Sequence, residues 1–148
     1  MRAMLTAVVD TNVWDSAFLS PQGYPARVYQ AARQEQFFSL TSEPLLDELT
    51  EVLTRPRLMR LHGEPLDTIH RFVFRLKRLS LLVPVTGNLA LCRDPDDDVL
   101  LETAFAGHAT FLVSRDEDLT RDLNLQRAAA SLDMRIMTVA QFLQQLTA

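Results

Sequence analysis

The sequence predicts an α/β fold, a three-layer α/β/α sandwich around a central, mainly parallel sheet. Three observations lead there. Short, largely apolar runs such as LTAVV (residues 5–9) and TFLVS (residues 110–114) suit strands buried on both faces, which parallel sheets require. These runs alternate with longer stretches of helical periodicity, the pattern of βα units. No repeat, low-complexity tract or linker interrupts the 148 residues, so a single domain over residues 1–148 is expected.

In chain order, the strand at 5–9 ends at Asp10, and PQGYP reads as loop, with Pro25 placed to start the helix ARVYQAARQEQ. FFSLT reads as the second strand. Ser42 is a candidate N-cap for EPLLDELTEVLTR, which Pro56 stops. RLMRLHG is a short helix closed by Gly63. Pro65 then opens a longer helix with Leu66, Ile69, Phe72, Val73, Leu76 and Leu79 on one stripe. LLVPV reads as a third strand, DDVLLETAFAG as a helix with Gly107 at its C-terminal end, and TFLVS and RIMT as further strands. Thr138 and Gln141 form a capping box for the last helix, VAQFLQQL.

Composition narrows the function classes. Hydrophobic residues make up 47 % of the chain and charged ones 23 %, the balance of a folded globular protein. No apolar run reaches the ~18 residues of a membrane span. The start, MRAMLTAVVD, is too short and too soon acidic for a secretory signal. Cys92 stands alone, which excludes a disulfide framework and a thiolate metal site and fits a cytoplasmic setting. A formal charge of −4 argues against coating nucleic acid by bulk electrostatics, but leaves room for a basic rim around an acidic site. Only four glycines are present and none forms a phosphate loop, so a nucleotide triphosphatase is excluded.

The acids carry the chemistry. In open α/β sheets, ligands gather beyond the C-terminal ends of the strands. Asp10 follows the first strand directly, and Asp116 and Asp118 follow TFLVS closely. A lone aspartate at such a place is most often a cap or turn residue. Two at the ends of parallel strands share one edge, which weakens that reading. On the helix after Ser42, Glu48 lies at about 300° from Leu45, beside the apolar arc, whereas Asp47 and Glu51 lie opposite it. In CRDPDDDVLLETA, Asp97 falls in the middle of the arc formed by Leu100, Leu101, Ala104 and Phe105, and Asp98 lies about 100° further round. Asp97 is therefore expected to face inward and Asp98 to tilt toward solvent or the site's margin. Asp94 and Asp96 read as solvated or capping acids.

Carboxylates gathered at one edge raise one another's pKa unless a cation compensates them. An all-oxygen set selects Mg²⁺ or Mn²⁺ over zinc. None of His62, His70 and His108 has metal-motif spacing. Such a centre suits hydrolysis of phosphodiesters. Arg93 and Arg115 flank the acids and are the candidate phosphate ligands. The cations between Arg55 and Arg78 read mainly as solvated helix faces.

The stretches VVDTNVW, SEPLLDELTEVLTRPR, CRDPDDDVLLETA and TFLVSRDEDL, in this order, resemble the successive motifs of PIN-domain proteins. Within that family they look most like the toxin components of toxin–antitoxin pairs. The resemblance implies a metal-dependent ribonuclease using Asp10, Glu48, Asp97 and Asp116, with Asp10, Asp97, Asp116 and Asp118 toward metal. It implies supporting roles for Asn12 and Ser114, RNA as substrate, an antitoxin protein as partner, and a homodimer. The extra acid in PDDD leaves Asp97 and Asp98 as alternatives. Residues 57–80 are the least family-like and are expected to shape the substrate entrance. A phosphatase built on Asp10 would want a second acid where Asn12 stands. A catalytically silent module that binds nucleic acid or protein is the remaining alternative, disfavoured because all four acids are present.

Overall fold

The computed structural model describes residues 4–90 and 95–147, and within them five parallel strands form one sheet in the order β3-β2-β1-β4-β5. The strands are β1 (Thr6–Val9), β2 (Phe38–Thr41), β3 (Ser80–Leu82), β4 (Phe111–Val113) and β5 (Arg135–Met137). Arg93 and Asp94 lie outside the described residues, as does Cys92.

Alternation along the strands sorts the helices into two layers. Ala7, Val9, Phe111, Val113 and Met137 face one core, packed against α1 (Thr11–Leu19), α2 (Tyr24–Arg33), α3 (Glu43–Leu53), α5 (Leu66–Leu79) and α9 (Val139–Thr147). Val8, Leu40, Leu112 and Ile136 face the other, covered by α6 (Pro95–Ala106), α7 (Glu117–Thr120) and α8 (Leu123–Ala130). Strands buried on both faces need apolar side chains at consecutive positions, as in Ala7–Val9 of β1 and Phe111–Val113 of β4. The expected three-layer α/β/α sandwich is the fold. Between β2 and β3, α4 (Pro56–His62) is closed by Gly63 at φ 65°, a left-handed turn that favours glycine. Among the described residues, no helix is long and apolar enough to cross a membrane.

The order of strands matters for function. The chain moves outward from β1 to β2 and β3, then returns across the sheet through α6 to β4 on the other side of β1. The sheet therefore changes direction between β1 and β4, and a crevice opens beyond their C-terminal ends.

Several expectations are corrected. Residues 11–19, assigned no element from sequence, form α1, with Val13, Trp14 and Ala17 buried on its inner face. Helices α7 and α8 were likewise not anticipated, although Asp122 caps α8 by accepting from the Asn124 and Leu125 N–H groups. Ser42 starts α3 but makes no side-chain cap bond; its buried Oγ pairs with Thr103 Oγ1 at 2.9 Å and ties α3 to α6. The third strand covers 80–82 rather than 81–85, and as an edge strand it leaves Leu81 and Leu82 exposed. Leu66, expected on the inner stripe of α5, is exposed at that helix's first turn. The capping box of α9 forms as expected: Gln141 N–H donates to Thr138 Oγ1 and Thr138 N–H to Gln141 Oε1.

Candidate active site

Strand β1 delivers Asp10 to the crevice, and α1 begins at the next residue. The Asp10 main-chain N–H donates to the Val113 carbonyl at 2.8 Å, so the ends of β1 and β4 are joined at this point. Beside it, Ser114 is fully buried, and its hydroxyl is a three-way junction. Its Oγ donates to Asp10 Oδ2 at 2.7 Å and accepts from the Asp116 N–H at 3.0 Å and from Asn12 Nδ2 at 3.4 Å. One donor and two acceptor sites use the full capacity of a serine hydroxyl. Asn12 Oδ1 in turn accepts the Arg115 N–H at 3.2 Å. The β1–α1 corner and the β4–α7 turn are thus one hydrogen-bonded unit, with a carboxylate at its centre.

Asp10 is buried, and that burial raises its pKa above the ordinary value of 3.8. Bonds from Ser114, the Asn12 main chain and Thr11 oppose the rise, while the nearby charge of Asp116 adds to it. Asp116 is half-buried, caps α7 through Oδ1, which accepts the Asp118 N–H at 2.9 Å, and lies within the field of Asp10. Asp116 is therefore a helix cap, as its place after the strand allows, and its charge also reaches Asp10. Asp118 is exposed.

Sequence reasoning missed Asp15 and Ser16. Asp15 is half-buried; burial raises its pKa, Ser16 and Arg115 lower it, and Asp10 raises it further. Ser16 donates to the Asn12 carbonyl at 2.9 Å or to Asp15 Oδ1 at 3.1 Å, and its Oγ accepts from the Arg115 guanidinium. The signal was present: Asp15 and Ser16 lie three and four residues after Asn12, hence on its side of α1 once α1 is recognised as a helix.

The remaining candidates lie on α3 and α6. On α3, burial follows the angular pattern: Glu48 is half-buried, Asp47 is exposed, and Glu51 is exposed and paired with Arg55. On α6 the expected order is reversed. Asp98 is buried at 8 % exposure, whereas Asp97 is only half-buried. The buried arc of α6 includes Thr103 and leaves Phe105 half-buried, so the helix is turned from the phase read from sequence. In addition, first-turn side chains lean back past the helix start, where the neighbouring loops and strand ends decide their burial. Glu48, Asp97 and Asp98 all have interaction partners. Arg93 cannot be placed, being outside the described residues.

Among the described residues, the donor chemistry of this edge, buried carboxylate and hydroxyl oxygens, fits a hard divalent cation. A buried acid with a second acid in its field is the arrangement a cation relieves. Among the described residues, however, no three of His, Cys, Asp and Glu gather closely enough to hold a metal by themselves.

A family model described as PIN domain matches residues 6–118. An uncharacterised protein of Methanocaldococcus jannaschii is 25 % identical over 143 residues, covering 95 % of this chain and 91 % of the relative.

Proposed function

The chain belongs to the PIN domain family, whose members are usually metal-dependent nucleases, and from that premise we propose that it is a Mg²⁺- or Mn²⁺-dependent endoribonuclease. The observation that carries this reading is Asp10, a buried carboxylate at the direction change of the sheet, held by Ser114 and facing the charge of Asp116.

In this reading Asp10 and Asp116 hold the ion together with a carboxylate from the first turn of α6. Asp97 and Asp98 are the alternatives there, and the burial of Asp98 favours Asp98. Glu48 and Asp118 complete the acidic surround. When bound, the ion supplies Lewis-acid polarisation of the scissile phosphate and a more acidic water. The chain's own residues do the positioning. Ser114 fixes the Asp10 carboxylate, Asn12 holds the β4–α7 turn through the Arg115 N–H, and Ser16 holds the Arg115 guanidinium at the crevice. From there Arg115 meets a substrate phosphate. Arg93 is proposed for the same task from its place in the sequence. Hydrolysis adds water across one P–O bond and leaves a phosphate and a hydroxyl terminus.

The four motifs further support a toxin role, with an antitoxin protein as partner, a homodimeric assembly and a cytoplasmic location. The second reading is a silent PIN-like module that binds nucleic acid or protein. One experiment separates them. Purified full-length protein is incubated with cellular RNA and Mn²⁺, beside Asp10→Asn and a chelator control. The nuclease reading expects discrete cleavage ends that disappear with chelator and fall more than roughly 100-fold in Asp10→Asn, beyond the ~10–100-fold typical of a lost outer-shell partner. Intact RNA under all conditions, with no thermal shift on adding Mn²⁺, establishes the binding module instead.

A further inference from the structure

Beside the acidic centre lies a cleft of about 560 Å³, walled by the α1–α2 corner, the β4–α7 turn and the start of α9. Resting on the nuclease reading above, we propose that this cleft binds the base of one RNA nucleotide flanking the scissile phosphate. It would act as a subsite that sets where the strand is cut.

Four observations converge. The volume is within the ~300–1,000 Å³ of small-ligand sites, which suits a single nucleoside but not a duplex. The cleft adjoins the centre, because Ser114 both lines it and donates to Asp10 at 2.7 Å. A strand whose phosphate lies at Asp10 must place its neighbouring nucleoside close by. Much of the wall surface is apolar, with Leu19, Pro25, Val139 and Ala140 contributing beside polar residues such as Ser20, Thr120 and Thr138. Tyr24 also lines it, 62 % exposed, with the Arg27 guanidinium 4.8 Å from its ring centroid. The ring face away from Arg27 offers a stacking surface for a base.

The charges select a base over a phosphate for the interior. Arg121 is paired with Glu117 at 3.5 Å, and Arg115 is held by Ser16 near Asp15. Both cations in the lining are thus counterbalanced by acids, so the cleft offers little net positive charge to a second phosphate. Arg115 stands between cleft and acids, where a backbone phosphate would pass.

The test uses full-length protein, Mn²⁺ and a short oligoribonucleotide with a mapped cut, made abasic at each position in turn. Ala140→Trp fills the cleft from an exposed position, and Tyr24→Ala with Tyr24→Phe as its conservative control probes stacking. One abasic position next to the cut is expected to raise KM roughly tenfold in the wild type, the scale of one lost base stack. Ala140→Trp and Tyr24→Ala are expected to cause the same loss on the intact strand and no further loss on that abasic strand, with Tyr24→Phe unaffected. If the wild type cleaves and Asp10→Asn does not, but abasic scanning and Ala140→Trp change nothing, the subsite is refuted while the nuclease reading stands. If the wild type does not cleave at all, the nuclease reading fails. The cleft is then read by NMR titration of metal-free protein with AMP, GMP, CMP and UMP. Saturable shifts abolished by Ala140→Trp support a base site, and no shifts overturn it.

Discussion

Two corners of one sheet edge hold their acids by different means. At the β1–β4 corner, Asp10 and Asp116 are set by strand ends and cross-linked through Ser114 and Asn12. At the first turn of α6, Asp96, Asp97 and Asp98 are set by the phase of a helix and the loops around its start. The first corner is tied on both sides, since moving Asp10 breaks its main-chain bond to Val113 and moving Asp116 breaks the bond from its N–H to Ser114 Oγ. The second offers neighbouring acids that point about 100° apart round the helix. The difference teaches that the strand corner fixes where a cation would sit, while the helix corner supplies a ligand by proximity.

The sharpest way to break that comparison is at α6. Asp98→Asn is expected to lower cleavage by more than roughly 100-fold at saturating Mn²⁺, and Asp97→Asn by about tenfold or less, on the scale separating ligands from their supports. Equal losses in both would mean the two acids are interchangeable and burial does not select between them. A dead Asp97→Asn beside an active Asp98→Asn would restore the inward-facing assignment read from the helical wheel.

A smaller effect is expected at the hub of the strand corner. Ser114→Ala removes three hydrogen bonds around Asp10 without removing an acid. Activity should fall ~10–100-fold, the range for outer-shell partners of ligands. A stability loss of about 1–3 kcal/mol should accompany it, because polar partners are left buried and unsatisfied. Steady-state kinetics and denaturant melts on the same preparation check both.

The smallest effect concerns stability without metal. Asp10 has a raised pKa in the folded state, so the folded protein binds more protons than the unfolded chain between 3.8 and that raised value. Stability therefore falls as pH rises through this window and stays lowered above it. Asp10→Asn lacks the titration, so in chelator it should melt higher than the wild type at neutral pH. The advantage should shrink as pH drops toward 3.8. A variant that melts lower at neutral pH would show that the carboxylate's hydrogen bonds outweigh its burial.

How much of this was legible follows from the same contrast. The parallel sheet and the place of Asp10 and Asp116 were readable because consecutive apolar residues announce doubly buried strands and all parallel strand ends point one way, whereas Ser114 came only from the resemblance. Glu48 was readable because a long amphipathic helix averages out local error. Asp97 and Asp98 were misordered because a first-turn side chain has no helical turn before it to fix its surroundings. Helix α1 was missed because an apolar strand runs straight into it at Asp10 with no proline or glycine between them, and with it went Asp15 and Ser16. The Ser42–Thr103 bond could not be read at all, since it joins residues far apart in sequence through a packing that only the folded sheet creates.

The central claim is that the β1–β4 corner, with Asp10 at its centre, is a divalent-cation site. Titration of metal-free full-length protein with Mn²⁺, followed by calorimetry and by the electron paramagnetic resonance of free Mn²⁺, tests it without recourse to any substrate. The account predicts saturable binding in the wild type that is lost in Asp10→Asn, while circular dichroism of the two remains the same. Equal Mn²⁺ affinity in wild type and Asp10→Asn would contradict it.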